Sequence, residues 1–107
     1  MYRQTAEADV DRSVLVFRAL ANPERLALLG VLQRSAPGWR NISQLAAEAG
    51  VTRYGASRHL AVLAEAGFVE VIRDRQAQLH RLHPRGFEAV EDFVYDVLPA
   101  LEACTGR

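Results

Sequence analysis

Hydroxyl, guanidinium and phenol groups crowd one short stretch of this sequence. Thr52, Arg53, Tyr54, Ser57 and Arg58 lie together there, and His59 follows. Arginine donates forked hydrogen bonds to phosphates and to guanine edges. The Thr52 and Ser57 hydroxyls suit a phosphate or a base edge, and Tyr54 suits a thymine methyl or a phosphate. His59 reads as a packing residue or as a donor to backbone or phosphate. Further along come Arg73, Arg75 and Arg81. Phosphate contacts from these would add salt-sensitive affinity without sequence choice. For any one of them a solvated strand face is the competing reading; as a group they point to duplex DNA.

Other chemistry is poorly represented. No nucleophile stands with a matched base and no glycine-rich loop can cradle phosphate, so the chain does not read as an enzyme, and no cofactor is expected. His80 and His83 are three apart in a strand-to-loop segment, where they face opposite sides, and no metal site is expected there. Glu88, Glu91, Asp92 and Asp96 share one helical flank and read as a solvated face, not a hard-metal site. Cys104 is the only cysteine, which excludes a disulfide within the chain. It reads as a plain thiol at the end of the last helix, with an inter-subunit disulfide or a redox-sensing role as the sharper alternative.

The elements that position these groups follow from periodicity and caps. Residues 1–8 lack periodicity and are expected to fray. From Asp9 to Leu20, Val10, Val14, Phe17 and Leu20 recur at helical spacing. Asn22 caps a second helix that Pro23 opens and Glu24 favours. That helix carries Leu26, Leu28, Leu29, Val31 and Leu32 nearly all round, as a buried central helix does. After the turn Ser35–Gly38, Asn41 and Gln44 form a capping-box pattern for a short helix from Ile42 to Ala49, with Ser43 as a rival cap. Gly50 ends it, and Thr52 caps a second helix from Arg53 to about Ala66. Ala46 is small enough for the two helices to cross closely. Val51, Ala56, Leu60 and Leu63 face inward, and Arg53, Tyr54, Ser57, Arg58 and Ala61 fall on the other side. Gly55, a costly residue inside a helix, suggests close approach to DNA. After Gly67, Phe68 to Arg73 and Leu79 to Leu82 alternate like strands around the tip Asp74–Ala77. A last helix begins near Pro84 or Arg85. Its stripe is Phe87, Val90, Phe93 or Val94, Val97, Leu98 and Leu101, and Pro99 is expected to kink or divide it.

The fold class read from this order is mainly α with a two-stranded β-hairpin wing, a winged helix-turn-helix in the order helix, helix, helix-turn-helix, wing, helix. The 107 residues fit one domain. Within it 42–66 is the helix-turn-helix and 68–83 the wing, and 9–21 and 86–103 are dimerisation helices. Val10, Val14, Phe17, Val94, Leu98 and Leu101 are the expected dimer interface, because a thin domain cannot cover them all; packing within the monomer is the alternative. No run is long and apolar enough to span a membrane, the polar N-terminus does not read as a signal peptide, and a cytoplasmic protein is expected. Net charge is zero. Yet residues 51–85 are basic, with Arg85 and three histidines adding to the arginines above, while residues 86–107 are acidic. One face toward phosphate and another elsewhere fits that asymmetry. Zero net charge gives some weight to a rival, a winged-helix protein-interaction module that does not read DNA.

The run Phe17-Arg18-Ala19-Leu20-Ala21-Asn22-Pro23-Glu24-Arg25-Leu26 resembles the opening of the ArsR/SmtB family of dimeric metal-sensing and related repressors. Gln44-Leu45-Ala46, Val51-Thr52, Ser57-Arg58-His59-Leu60-Ala61-Val62-Leu63 and Ala66-Gly67-Phe68-Val69 are similar to its recognition region, and Leu82-His83-Pro84 to the end of its wing. The resemblance covers roughly residues 10–103. It implies a homodimer joined through first and last helices, an inverted-repeat operator in double-stranded DNA, and repression relieved by a signal. The departures bear on that signal. Asn41 and Ser43 stand where the arsenic-type site has thiols, and no histidine follows His83 where the zinc-type site needs one. A known family metal site is therefore not expected, and the inducer is not specified. Gln76-Ala77 replaces the common glycine of the wing tip, and Arg53, Tyr54 and Gly55 replace small polar residues, which suggests a distinct operator.

Overall fold

The computed structural model describes residues 2–106, with side chains from Val10 onward. The order is α1 (Tyr2–Leu20), α2 (Pro23–Ser35), β1 (Arg40–Asn41), α3 (Ile42–Ala49), α4 (Arg53–Glu65), β2 (Val69–Asp74), β3 (Ala77–Leu82) and α5 (Pro84–Cys104).

Local chemistry sets most boundaries. The Asn22 side chain accepts from the Arg25 amide at 3.0 Å, and Pro23 opens α2. Asn41, not Ser43, caps α3, in a reciprocal capping box with Gln44. Gly50 stops α3 in the left-handed region at φ 73°. Thr52 Oγ1 accepts from the Gly55 amide at 3.0 Å and starts α4. Gly67, at φ 89°, ends α4 in a Schellman arrangement: the Phe68 amide donates to the Leu63 carbonyl and the Gly67 amide to the Ala64 carbonyl.

The core lies where α2, α3 and α4 meet the sheet. Leu28, Val31, Leu32, Leu45, Ala56, Leu60, Leu63 and Phe68 are fully buried in it, joined by Val16 and Ala19 of α1. α2 supplies most of its length to this core, as an all-round apolar helix must, although Leu26 stays exposed. α5 is different. Only Gly86 is buried in it, and Phe87, Phe93, Val94, Tyr95, Leu98 and Leu101 remain exposed.

Three readings are corrected. The sheet has three antiparallel strands in the order β1-β3-β2, not two, because Arg40 and Asn41 pair with His80 and Leu79. The backbone of α1 is helical from Tyr2, ahead of the expected start at Asp9; Gln4, Ala6, Glu7 and Ala8 are good helix formers even without an apolar stripe. α5 runs through Pro99 to Cys104 without dividing. Proline removes one donor and crowds the Tyr95 carbonyl one turn back, a cost that a helix can meet by bending without ending. His83 caps α5, its Nδ1 accepting from the Arg85 amide at 3.2 Å.

Candidate nucleic-acid interface

α3, the turn at Gly50 and α4 form the helix-turn-helix. Ala46 is buried at the crossing, as its size requires. With 3.6 residues per turn, Ala56, Leu60 and Leu63 make one face of α4, and Tyr54, Arg58 and Ala61 lie opposite. The burial follows that division: the first three are closed off and the last three are exposed. Ser57 is exposed on the flank. Gly55 has a local reason to be glycine, since a Cβ would sit 3.0 Å from the Thr52 hydroxyl that caps the helix.

Arg53 turns toward the wing. It lines a polar cleft with Asn41, Ser43, Arg73, Gln76 and Gln78. Arg75 stands at the hairpin tip between the paired residues Asp74 and Ala77, with φ at 59°. The structure brings Arg53 and Arg73 to one cleft and Tyr54 and Arg58 into contact, and it leaves Thr52 and Ser57 exposed on the same helix-turn-helix and Arg75 exposed at the hairpin tip.

Arg81 and His59 do not join them. Arg81 lies over the Trp39 ring at 4.3 Å, and its Nε donates to Glu70 Oε2 across the strands at 3.2 Å. It fastens the three-stranded sheet. Trp39, one residue before β1, was the signal that sequence reasoning passed over. His59 is half-buried against α2. Arg25 Nη1 donates to its Nδ1 at 3.2 Å, and its Nε2 lies 2.8 Å from Glu24 Oε1. Arginine can only donate, so Nδ1 is the acceptor and Nε2 carries the proton. The same Arg25 donates to the Ala19 and Arg18 carbonyls, tying the end of α1 to α4.

These pairings answer the puzzle of zero net charge. Glu48 and Glu70 are paired with Arg40 and Arg81, and Glu24 accepts a hydrogen bond from His59. The Arg40 guanidinium holds the Glu48 carboxyl below its usual range. Among the described residues Arg53, Arg58, Arg73 and Arg75 have no carboxylate within ion-pair distance, and Glu88, Glu91, Asp92 and Asp96 of α5 line a separate cleft with Arg12 and Arg85. Charge is separated in space though balanced in sum.

α1 and α5 form the other exposed feature. Phe17 meets Phe93 edge-on at 5.1 Å. A largely apolar groove of about 610 Å³ runs along Val10, Val14, Phe17, Ala21 and Phe93. Val10, Val14, Phe17, Val94, Leu98 and Leu101 are all exposed within one chain. Cys104 is exposed at the end of α5. Among the described residues no three His, Cys, Asp or Glu side chains converge as metal ligands, and no helix is long and apolar enough to cross a membrane.

Comparison with known proteins agrees with this architecture. The family described as "Helix-turn-helix domain" matches residues 20–72. A search of curated proteins gives no match in sequence. Among solved structures, the chain resembles the homodimeric winged helix-turn-helix DNA-binding domain of a possible ArsR-family transcriptional regulator from Mycobacterium bovis. Identity is 31%, the TM-score is 0.65, and the match covers 90% of this chain and 84% of that one. An ArsR family transcriptional regulator matches at 25% identity and TM-score 0.75, over 86% of this chain and 92% of its own. An ArsR-like regulator from Rhodococcus sp. RHA1 shares the fold at 20% identity and TM-score 0.74, over 91% of this chain and 89% of its own. The chain belongs to the ArsR family of winged helix-turn-helix transcriptional regulators.

Proposed function

We propose that the protein is a homodimeric, sequence-specific DNA-binding repressor. Its two α4 helices enter successive major grooves of an inverted-repeat operator, with the wings on the adjacent backbone. The observation that carries this reading is the row Arg53, Tyr54, Ser57 and Arg58. It is exposed, polar and free of carboxylates on the outer side of a helix-turn-helix whose inner side is fully packed.

The dimer is supported by the exposed apolar faces of α1 and α5, a surface larger than scattered exposed side chains explain. The Mycobacterium bovis winged helix-turn-helix domain, solved as fragment 1–100, is homodimeric. Repression relieved by a signal is what family membership suggests.

The test is a fluorescence-anisotropy titration against the protein's own upstream DNA and a scrambled duplex at two salt concentrations. Tight, salt-sensitive binding with preference for the upstream duplex is expected. Arg53→Ala with Arg58→Ala abolishes that preference and leaves the dimer intact. Specific binding retained by the double variant refutes the site. No binding to any duplex at low salt favours the protein-interaction module instead.

A further inference from the structure

Resting on the DNA reading above, we propose that Arg58 reads a guanine in each half-site and that Tyr54 is its positioning residue. Helical phase separates the two arginines of α4. Arg53 turns into the cleft shared with Arg73 of the wing, whereas Arg58 stands on the outermost ridge of the helix. The outermost ridge reaches the floor of a groove, where base edges lie; the flanks meet the backbone.

Tyr54 lies one turn earlier on that ridge. Its ring is 72% exposed and contributes nothing to the core. The Arg58 guanidinium carbon sits 5.7 Å from the ring centroid, within cation–π reach, and Nη1 donates to the Tyr54 hydroxyl at 3.4 Å. An exposed arginine is ordinarily free to sample many rotamers. Here the ring and hydroxyl restrict it without a carboxylate neutralising it. Because Nη1 is engaged by Tyr54, the Nε–Nη2 edge stays free. That edge is a planar two-donor fork, the pattern that matches guanine O6 and N7. Ala61, next on the ridge, is small and exposed, so it does not hold the helix away from the base edge.

The experiment selects duplexes from a random-sequence library with the full-length wild type, Tyr54→Phe, Tyr54→Ala and Arg58→Lys. The side chains are exposed, so the variants fold, and circular dichroism checks that. The wild type enriches a site with one strongly required guanine per half-site, and 7-deazaguanine there weakens binding about tenfold. Arg58→Lys weakens the requirement, because an ammonium cannot form the planar two-donor fork. Tyr54→Ala relaxes it about tenfold while its salt dependence on random duplex stays that of wild type, and Tyr54→Phe, which keeps the ring, relaxes it less. A selected site whose guanine requirement survives Tyr54→Ala or Arg58→Lys unchanged overturns the inference and spares the DNA reading. A wild type that enriches no duplex overturns both.

Discussion

Glycine-to-alanine substitutions at two helical positions should have opposite signs. Intrinsic propensity treats both as gains, because alanine restricts the unfolded chain and suits a helix, a benefit of about 0.4–1 kcal/mol. At Gly86 of α5, however, an added Cβ would lie 2.7 to 2.8 Å from three atoms of the Phe68 ring. Carbon atoms ordinarily approach to about 3.5–4.0 Å. Phe68 cannot easily retreat: it is fully buried and packs edge-on against Phe87 at 4.8 Å. The backbone cannot open freely either, since the Gly86 amide donates to the Gly67 carbonyl at 2.8 Å. Overpacking of this kind costs about 1–3 kcal/mol, so Gly86→Ala should destabilise by about 1–2 kcal/mol net. At Gly30 of α2 a Cβ meets only the tip of Arg34 at 3.5 Å, an ordinary contact. Gly30→Ala should therefore stabilise by about 0.5 kcal/mol. Urea and thermal melts at one fixed protomer concentration give the comparison, because a dimer's apparent stability depends on concentration. With about 4–8 °C per kcal/mol for a domain of this size, the two variants should separate clearly. Gly86→Ala melting at or above wild type would show that the α5–Phe68 contact is loose and refute the argument.

Further outcomes follow from the wing and its root. His80 is 2% exposed, and burial pushes its imidazole below the usual range, more strongly than its hydrogen bond to the Arg40 carbonyl raises it. The native state thus prefers neutral His80. Its contribution is complete above the unfolded value of about 6.5 and is lost as pH falls below that, by at most about 1.4 kcal/mol per unit. Melts from pH 8 to 5 should show a flatter acid limb in His80→Gln, and an unchanged limb would contradict this. Arg75 occupies a left-handed position that glycine adopts freely. Arg75→Gly should raise stability by about 1 kcal/mol while weakening binding to random duplex at low salt. Loss of stability would mean that the tip is unstrained. Thr52→Ala removes the α4 cap and should cost about 1 kcal/mol in a urea melt, with no loss of helix 23–35 by hydrogen exchange.

The sequence was most legible where structure is decided within a few residues. Asn22, Asn41, Thr52, Gly50 and Gly67 each act on a neighbouring amide or a single φ, and their placement needs no knowledge of the rest of the chain. The inward face of α4 was legible for the same reason, since 3.6-residue periodicity is local. β1 was not. Its two residues form a strand only because His80 and Leu79 arrive from forty positions away to pair with them. The fates of Arg81 and His59 were hidden likewise. Each sits in a stretch that looks basic, yet cross-strand register brings Glu70 to Arg81, and the crossing of α2 and α4 brings Glu24 to His59. Of the two outcomes expected at Pro99, division does not occur, and α5 continues to Cys104.

The division of the arginines makes a numerical expectation. The basic residues of 51–85 look interchangeable in the sequence, but only those without a carboxylate can release counterions on meeting a phosphate. Of these, Arg53, Arg73 and Arg75 lie on the helix-turn-helix and wing and meet phosphate if Arg58 is occupied with a base, whereas Arg85 opens α5 beside its acids. Doubled across a dimer, and at about −0.9 per phosphate, they give a slope of log K against log salt near −5 on the selected site. If Arg58 contacts phosphate instead, the slope steepens to about −7. Arg81→Ala should leave the slope unchanged, since Arg81 is spent on Trp39 and Glu70, although it should loosen the sheet. Arg73→Ala should flatten it by about 2, one phosphate in each protomer. An Arg81→Ala slope that falls as far as that of Arg73→Ala would mean that Arg81 leaves Trp39 to meet DNA, and that the ion pairs of the free protein do not predict which arginines touch the backbone.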